Sequence, residues 1–161
     1  MQRPFVLAVV ALALVALSLA CASTPAATPA APSADLDITS TVLATYNVMS
    51  GPAGRRDWDR YQDLFAPGAH IIAVKPDGRD VVTPEEFVTK WKPYYEQNAL
   101  FEHPVATQVQ RAGNVAQVLS TFESRHASTD DAPYARGVQS FQLVHQGDRW
   151  LIVSIVREVA P

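Results

Sequence analysis

Four histidines and one cysteine are the residues of this chain best suited to acid/base or metal chemistry. No two histidines have the spacing of three or four positions at which ligands on one helix bind a metal together. His103 and His126 could form an acid/base pair if the fold joined them, so they are the weak candidates for catalytic residues. The sequence has no phosphate-binding glycine loop and no Gly-x-Ser-x-Gly motif. We therefore predict no metal and no cofactor.

The cysteine, Cys21, follows a segment built like an export signal. Met1–Ala20 has a basic residue near its start, the apolar run Phe5–Leu19 and small residues at its end. The run is shorter than the roughly 20 apolar residues of a spanning helix. The letters LSLAC at 17–21 resemble the lipobox of bacterial lipoproteins, which implies a lipid on Cys21 and membrane anchoring. An ordinary export signal, cut near Ala20, is the open alternative.

The segment after the cysteine predicts a tether. Residues 21–34 consist mainly of Ala, Pro, Ser and Thr, which have little to bury. The remaining stretch, 35–161, has the size of one domain. Ala22 is not the Asp that retains lipoproteins at the inner membrane of enteric bacteria, so we predict the periplasmic side of the outer membrane, if the cell has one. A net charge of −3 speaks against a nucleic-acid partner.

Helical periodicity predicts three helices. The first spans about Asp35–Ser50, with Tyr46 on its buried stripe. The second spans Asp57–Ala66 and ends before a Pro-Gly pair. The third starts with a capping box at Thr83 and runs to about Gln97. Its aromatic residues, Phe87, Trp91, Tyr94 and Tyr95, are predicted to point inward.

Alternating apolar residues predict strands, most clearly in the last 47 residues before Ala160. The predicted strands are His70–Val74, a short one near Val81-Val82, Phe101–Gln110, and three within Gly113–Val159. A tight turn at Gly147-Asp148 predicts a hairpin that pairs Leu143 with Ile152 and Phe141 with Ser154.

Three segments of this plan resemble the SnoaL-like group of the nuclear transport factor 2-like superfamily. They are DWDRYQDLFAPGA (57–69), GNVAQVLSTFESR (113–125) and RGVQSFQLV with GDRWLIVSI (136–155). The resemblance covers about Asp37–Val159. It implies an α+β fold in which a curved, mostly antiparallel sheet wraps around about three helices to form a cone.

The resemblance also implies an inner face, because the tryptophan after the Gly-Asp turn points into the cone in such relatives. With Trp150 inward, alternation places a mostly apolar pocket with a few polar groups inside the sheet, as a small-molecule site requires. Its predicted members are Tyr46, Ser120, Phe122, Gln139 and Ser154, with His103 and His126 nearby. A filled core in which the polar groups satisfy one another is the alternative.

Function follows from the resemblance only in outline. Catalytic relatives use a buried Asp, and no Asp falls on a predicted inward position, so we expect a domain that binds a small hydrophobic ligand or self-associates rather than one that catalyses a reaction. A lyase or isomerase that uses polar groups inside the cone is the alternative. The outer face is predicted to carry an ion-pair cluster and an apolar strip that favours a homodimer. The cluster comprises Glu123, Arg125, Arg136 and Arg157, and the strip Val138, Val144, Leu151, Val153 and Ile155.

Overall fold

The computed structural model describes the backbone of residues 32–160 and the side chains of residues 35–160. The predicted export signal, the predicted lipidation site at Cys21 and most of the predicted tether lie outside the described residues. Within the described part, no helix is long and apolar enough to cross a membrane.

A six-stranded sheet forms the body of the described chain. Its strands are β1 Phe65–Lys75, β2 Gly78–Val82, β3 Phe101–Ala112, β4 Val115–Arg125, β5 Ala135–Gln146 and β6 Arg149–Val159. They lie in the order β2-β1-β6-β5-β4-β3. All neighbours are antiparallel except β1 and β6, which are parallel. The predicted α+β architecture is confirmed.

Three helices cover one face of this sheet. They are α1 Pro32–Met49, α2 Trp58–Gln62 and α3 Pro84–Gln97. Helix α1 packs on β3, β4 and β6, and α3 packs on β1 and β2. The predicted capping box is present at the start of α3, where Thr83 Oγ1 accepts from the Glu86 amide at 3.2 Å and the Glu86 carboxylate accepts from the Thr83 amide at 2.8 Å.

Two helix predictions need correction. Helix α2 ends at Gln62 instead of Ala66, because Phe65 already pairs with Ile152 in the sheet. Sheet pairing therefore overrides the helical pattern. On α3, Tyr95 is buried as predicted, Trp91 lines a cleft between the helix and the sheet while staying 37% exposed, and Tyr94 is 48% exposed rather than inward.

A β-bulge at Val153 changes which residues of β6 face inward. The hairpin pairs Leu143 with Ile152 as predicted, but the next pair is Gln142 with Ser154, so Val153 is an additional residue. An extra residue reverses the alternation beyond it. The predicted pairing of Phe141 with Ser154 is therefore wrong. Ile155 and Arg157 face inward, and Ser154 faces outward.

A second bulge at Val105 has the same effect on β3. Pro104 pairs with Phe122 and Ala106 with Thr121, which leaves Val105 without a partner in β4. Before the bulge Glu102 is the inward residue, and His103 lies on the outer face opposite Glu123. The predicted inward orientation of His103 is wrong for this reason.

Candidate functional site

A buried carboxylate is the centre of the polar cluster on the inner face. Glu102 is only 4% exposed. Its Oε1 accepts from Arg157 Nη1 at 2.9 Å and from Gln139 Nε2 at 3.1 Å. Its Oε2 accepts from Arg157 Nη2 at 2.8 Å and from Ser124 Oγ at 2.8 Å. A carboxylate has about four lone-pair sites, so every acceptor position of Glu102 is occupied.

The guanidinium of Arg157 is held from two sides. One edge forms the bidentate pair with Glu102, and the planar group lies 4.4 Å from the centre of the Phe122 ring. Burial lowers the pKa of Arg157, but the charge of Glu102 and its hydrogen bonds outweigh this and raise it above its usual value. Arg157 is therefore a permanent cation.

The Phe122 ring can support Arg157 because β5 carries a glycine beneath it. Gly137 is opposite Phe122 across the β4–β5 pair. A Cβ on Gly137 would lie 2.6 Å from the Phe122 ring and 2.2 Å from the Glu158 carbonyl oxygen. The ring thus lies directly on the bare backbone, as aromatic residues do over strand glycines.

A second polar pair lies deeper between α1 and β4. The hydroxyl groups of Tyr46 and Ser120 are 2.8 Å apart, and both residues are buried. Burial raises the pKa of Tyr46 to about 12, although the bond to Ser120 lowers it in part. Tyr46 therefore stays a neutral phenol under ordinary conditions.

The space next to these groups, which we call the inner cavity, is small. It has a volume of about 30 Å³, and Tyr46, Glu102, Gln139 and Arg157 are among its walls. A water molecule needs roughly 10–15 Å³ on this measure. The inner cavity thus has room for about two waters and none for an organic ligand.

A much larger space opens on the other side of Arg157. We call it the mouth cleft; it lies between β1, β2, α3 and the end of β6 and has a volume of about 600 Å³. This is within the usual range of ligand pockets. Its apolar walls are formed mainly by Ile71, Ala73, Val82, Phe87, Trp91 and Tyr95. Ile71, Phe87 and Arg157 also line the inner cavity, so the two spaces adjoin at these residues.

Comparison with known families identifies the domain. A model of the SnoaL-like domain matches residues 42–157. The chain belongs to the SnoaL-like family. No curated protein matches it.

Solved structures share the fold of this SnoaL-like domain. A protein of unknown function with a cystatin-like fold from Nostoc punctiforme has 14% identity and a TM-score of 0.66, over 81% of this chain and 94% of its own. An NTF2-like protein of unknown function from Methylobacillus flagellatus has 15% identity and a TM-score of 0.60, over 83% and 97%. A provisionally named dehydratase of the NTF2-like family from Streptomyces avermitilis has 15% identity and a TM-score of 0.63, over 81% and 99%.

The sequence-predicted pocket residues of the SnoaL-like domain separate into two groups. Tyr46, Ser120, Phe122 and Gln139 are buried on the inner face. Ser154 is on the outer face, opposite Gln142. Four of the five predicted residues therefore belong to the packed interior, and none of the five lines the mouth cleft.

The two candidate catalytic histidines lie outside both spaces. His103 is exposed on the outer face, with Nε2 3.2 Å from Arg125 Nη1. His126 is exposed beyond the end of β4 and stacks on Tyr134 with 4.0 Å between ring centres. Neither lines the inner cavity or the mouth cleft.

The predicted outer ion-pair cluster of the SnoaL-like domain exists without Arg157. Glu123 accepts from Arg125 at 2.8 Å and from Arg136 at 2.9 Å. The hydrogen bond from Arg136 lowers the pKa of Glu123 most; burial opposes it, and the hydrogen bond from Arg125 adds to the lowering. Arg157 belongs to the opposite face because of the Val153 bulge.

Glu102 and Arg157 are the site residues that strict alternation missed. The β3 bulge has a signal in the sequence, since Pro104 within a strand is typical of an edge strand or a bulge. The β6 bulge has none, because LIVSIVREV contains no Gly or Pro. The remaining hint is that Glu102 and Arg157 carry charges of opposite sign within predicted strands.

Proposed function

We propose that this domain binds a small, largely apolar molecule in the mouth cleft without chemically converting it. The observation that carries the proposal is the mouth cleft itself, which combines a volume of about 600 Å³ with apolar walls, the guanidinium of Arg157 and the solvent-accessible charged residues Lys75, Asp80 and Lys90. A few polar groups in an apolar concave surface are typical of ligand sites.

The state of Glu102 argues against catalysis at this site. A general base must have a free lone pair within reach of the proton that it removes. All four acceptor positions of Glu102 are taken by Arg157, Gln139 and Ser124. Glu102 also borders the inner cavity and not the mouth cleft. This favours a structural role for the carboxylate.

The mouth cleft can be tested by blocking it. Ala73 lines it, so Ala73→Trp should fill it, whereas Ala112→Trp on the exposed outer end of β3 is a matched control. We expect hydrophobic metabolites to raise the melting temperature of the wild type and of Ala112→Trp, but not of Ala73→Trp. Stabilisation of all three alike, or of none, would contradict the proposal.

The same compounds distinguish binding from a lyase or isomerase activity. Each compound that stabilises the protein is incubated with it and then analysed by chromatography and mass spectrometry. We expect it to be recovered unchanged. Conversion by the wild type that is lost in Ala73→Trp would favour the enzymatic alternative.

We further propose that the domain is lipid-anchored in the cell envelope through Cys21 and forms a homodimer through the outer face of the sheet. Exposed Leu119, Val138 and Val156 support the second point. The apolar strip is narrower than predicted, since Ile155 faces inward and Leu151 is buried within the chain. Cell fractionation of Cys21→Ala tests the anchor. Light scattering of the soluble domain, with Val138→Asp as the variant, tests the dimer.

A further inference from the structure

Arg157 retains hydrogen-bonding capacity on the side of the mouth cleft. An arginine has five N–H groups, and Glu102 accepts from two of those on Arg157. Within the described part of the chain, the guanidinium of Arg157 forms no hydrogen bond besides these two. Its side chain is 29% exposed and lines the mouth cleft. An acceptor atom of a ligand in the mouth cleft can therefore reach a free N–H.

The charge of Arg157 is already compensated. Glu102 neutralises it at 2.8 Å from behind, so the pair presents donors without net charge to the mouth cleft. A ligand carboxylate at the same place would add a second negative charge near Glu102 and lose its own hydration. A neutral carbonyl oxygen would accept the same hydrogen bond without either cost.

The charged residues at the rim of the mouth cleft have little effect on whether a carboxylate or a carbonyl binds at Arg157. Asp80 pairs with both Lys75 and Lys90, which leaves one net positive charge. The three side chains are between 39% and 50% exposed, so solvent and salt screen that charge. A carboxylate held there stays outside the apolar part of the mouth cleft.

We infer that the mouth cleft selects ligands that present an uncharged oxygen acceptor, such as a ketone, ester or amide carbonyl, to Arg157, and discriminates against a carboxylate at that position. This inference rests on the proposed function and specifies its ligand class. The Glu102–Arg157 pair thus donates a hydrogen bond but carries no net charge, and this lack of charge favours a carbonyl over a carboxylate.

Two probes of nearly equal shape test this inference, 2-acetylnaphthalene and 2-naphthoate. Binding is followed on ¹⁵N-labelled protein at the indole N–H of Trp91, which lines the mouth cleft. The indole of Trp150, buried and away from the mouth cleft, is the internal reference. For the wild type we expect the ketone to bind on the order of tenfold more tightly than the carboxylate, since the carboxylate must give up its hydration beside an ion pair that carries no net charge.

Two substitutions should reverse the preference by different routes. Glu102→Gln removes the compensating charge while keeping the shape, so Arg157 becomes a free cation and the carboxylate should bind better than the ketone. Ala73→Lys adds a cation opposite Arg157 on the neighbouring strand without altering Glu102. Ala73→Met, similar in length and uncharged, is its control and should keep the wild-type preference.

The outcomes separate the inference from the proposed function. If both probes bind and the wild type prefers the carboxylate, or if Glu102→Gln leaves the preference unchanged, the inference is wrong while ligand binding stands. If Glu102→Gln does not fold, the relative affinities of the wild type, Ala73→Lys and Ala73→Met for the two probes decide whether the inference is right. If neither probe shifts Trp91, and the thermal screen also finds no ligand, the proposed function fails and the inference fails with it.

Discussion

Removing Arg157 should destabilise the domain far more than removing an arginine from the outer face. Arg157→Met leaves the Glu102 carboxylate, 4% exposed, with only the neutral donors of Gln139 and Ser124. Breaking a buried ion pair on one side typically costs 3–5 kcal/mol. Because 29% of the Arg157 side chain reaches solvent, we expect the lower end, about 3 kcal/mol.

A double-mutant cycle isolates the contribution of the pair. Glu102→Gln/Arg157→Met has no buried charge, so we expect it to be more stable than Arg157→Met alone, with a coupling energy of about 2 kcal/mol. Unfolding in urea, monitored by far-UV circular dichroism, gives the four free energies of unfolding. Arg136→Met is the control, since its side chain is 65% exposed, and we expect little change.

Additive effects of the two substitutions would refute this reasoning. Additivity would mean that Glu102 is solvated, or that Arg157 does not pair with it in solution. If Arg157→Met lowers the free energy of unfolding no more than Arg136→Met does, the same conclusion follows.

Three further predictions concern single positions. Gly137→Ala should lower the free energy of unfolding by about 2 kcal/mol or more, because the new methyl group overlaps the Phe122 ring; an unchanged urea midpoint would contradict this. Burial raises the pKa of Tyr46 in the folded state from 10 to about 12, so the unfolded state loses the phenol proton at lower pH. As the pH rises from 10 to 12, this difference should lower the free energy of unfolding by about 3 kcal/mol. The free energy of unfolding of Tyr46→Phe should fall less steeply with alkaline pH than that of the wild type. Parallel pH curves for the two proteins would show that Tyr46 is not the group responsible. Thr83→Ala should cost about 1 kcal/mol through loss of the capping box, whereas Thr89→Ala, an exposed position within the same helix, should have a smaller effect.

The sequence predicted the architecture well because its strongest signals are local. The capping box at Thr83 and the turn at Gly147-Asp148 depend on neighbouring residues, and both occur where predicted. The pairs nearest that turn, down to Leu143 with Ile152, are also as predicted. Such features need no knowledge of the rest of the fold.

The candidate site was predicted less well because alternation accumulates errors. One unpaired residue, Val153, moves every later residue of β6 to the other face, and Val105 moves the earlier residues of β3 in the same way. These two shifts brought Glu102 and Arg157 together and moved His103 and Ser154 outward. The position of the mouth cleft also depends on how α3 packs against β1 and β2, which no local pattern specifies.

The parallel pairing of β1 with β6 has a consequence for the order in which the chain folds. The paired residues, such as Ile71 and Ile155, are more than 80 positions apart. As the chain emerges from the ribosome, the β1–β2 hairpin has no neighbour in the sheet until the last strand is complete, and an isolated hairpin is only marginally stable. Arg157 arrives at the same late moment. The domain should therefore fold slowly and only once β6 has been made, with β1 and β2 unprotected against proteolysis until then.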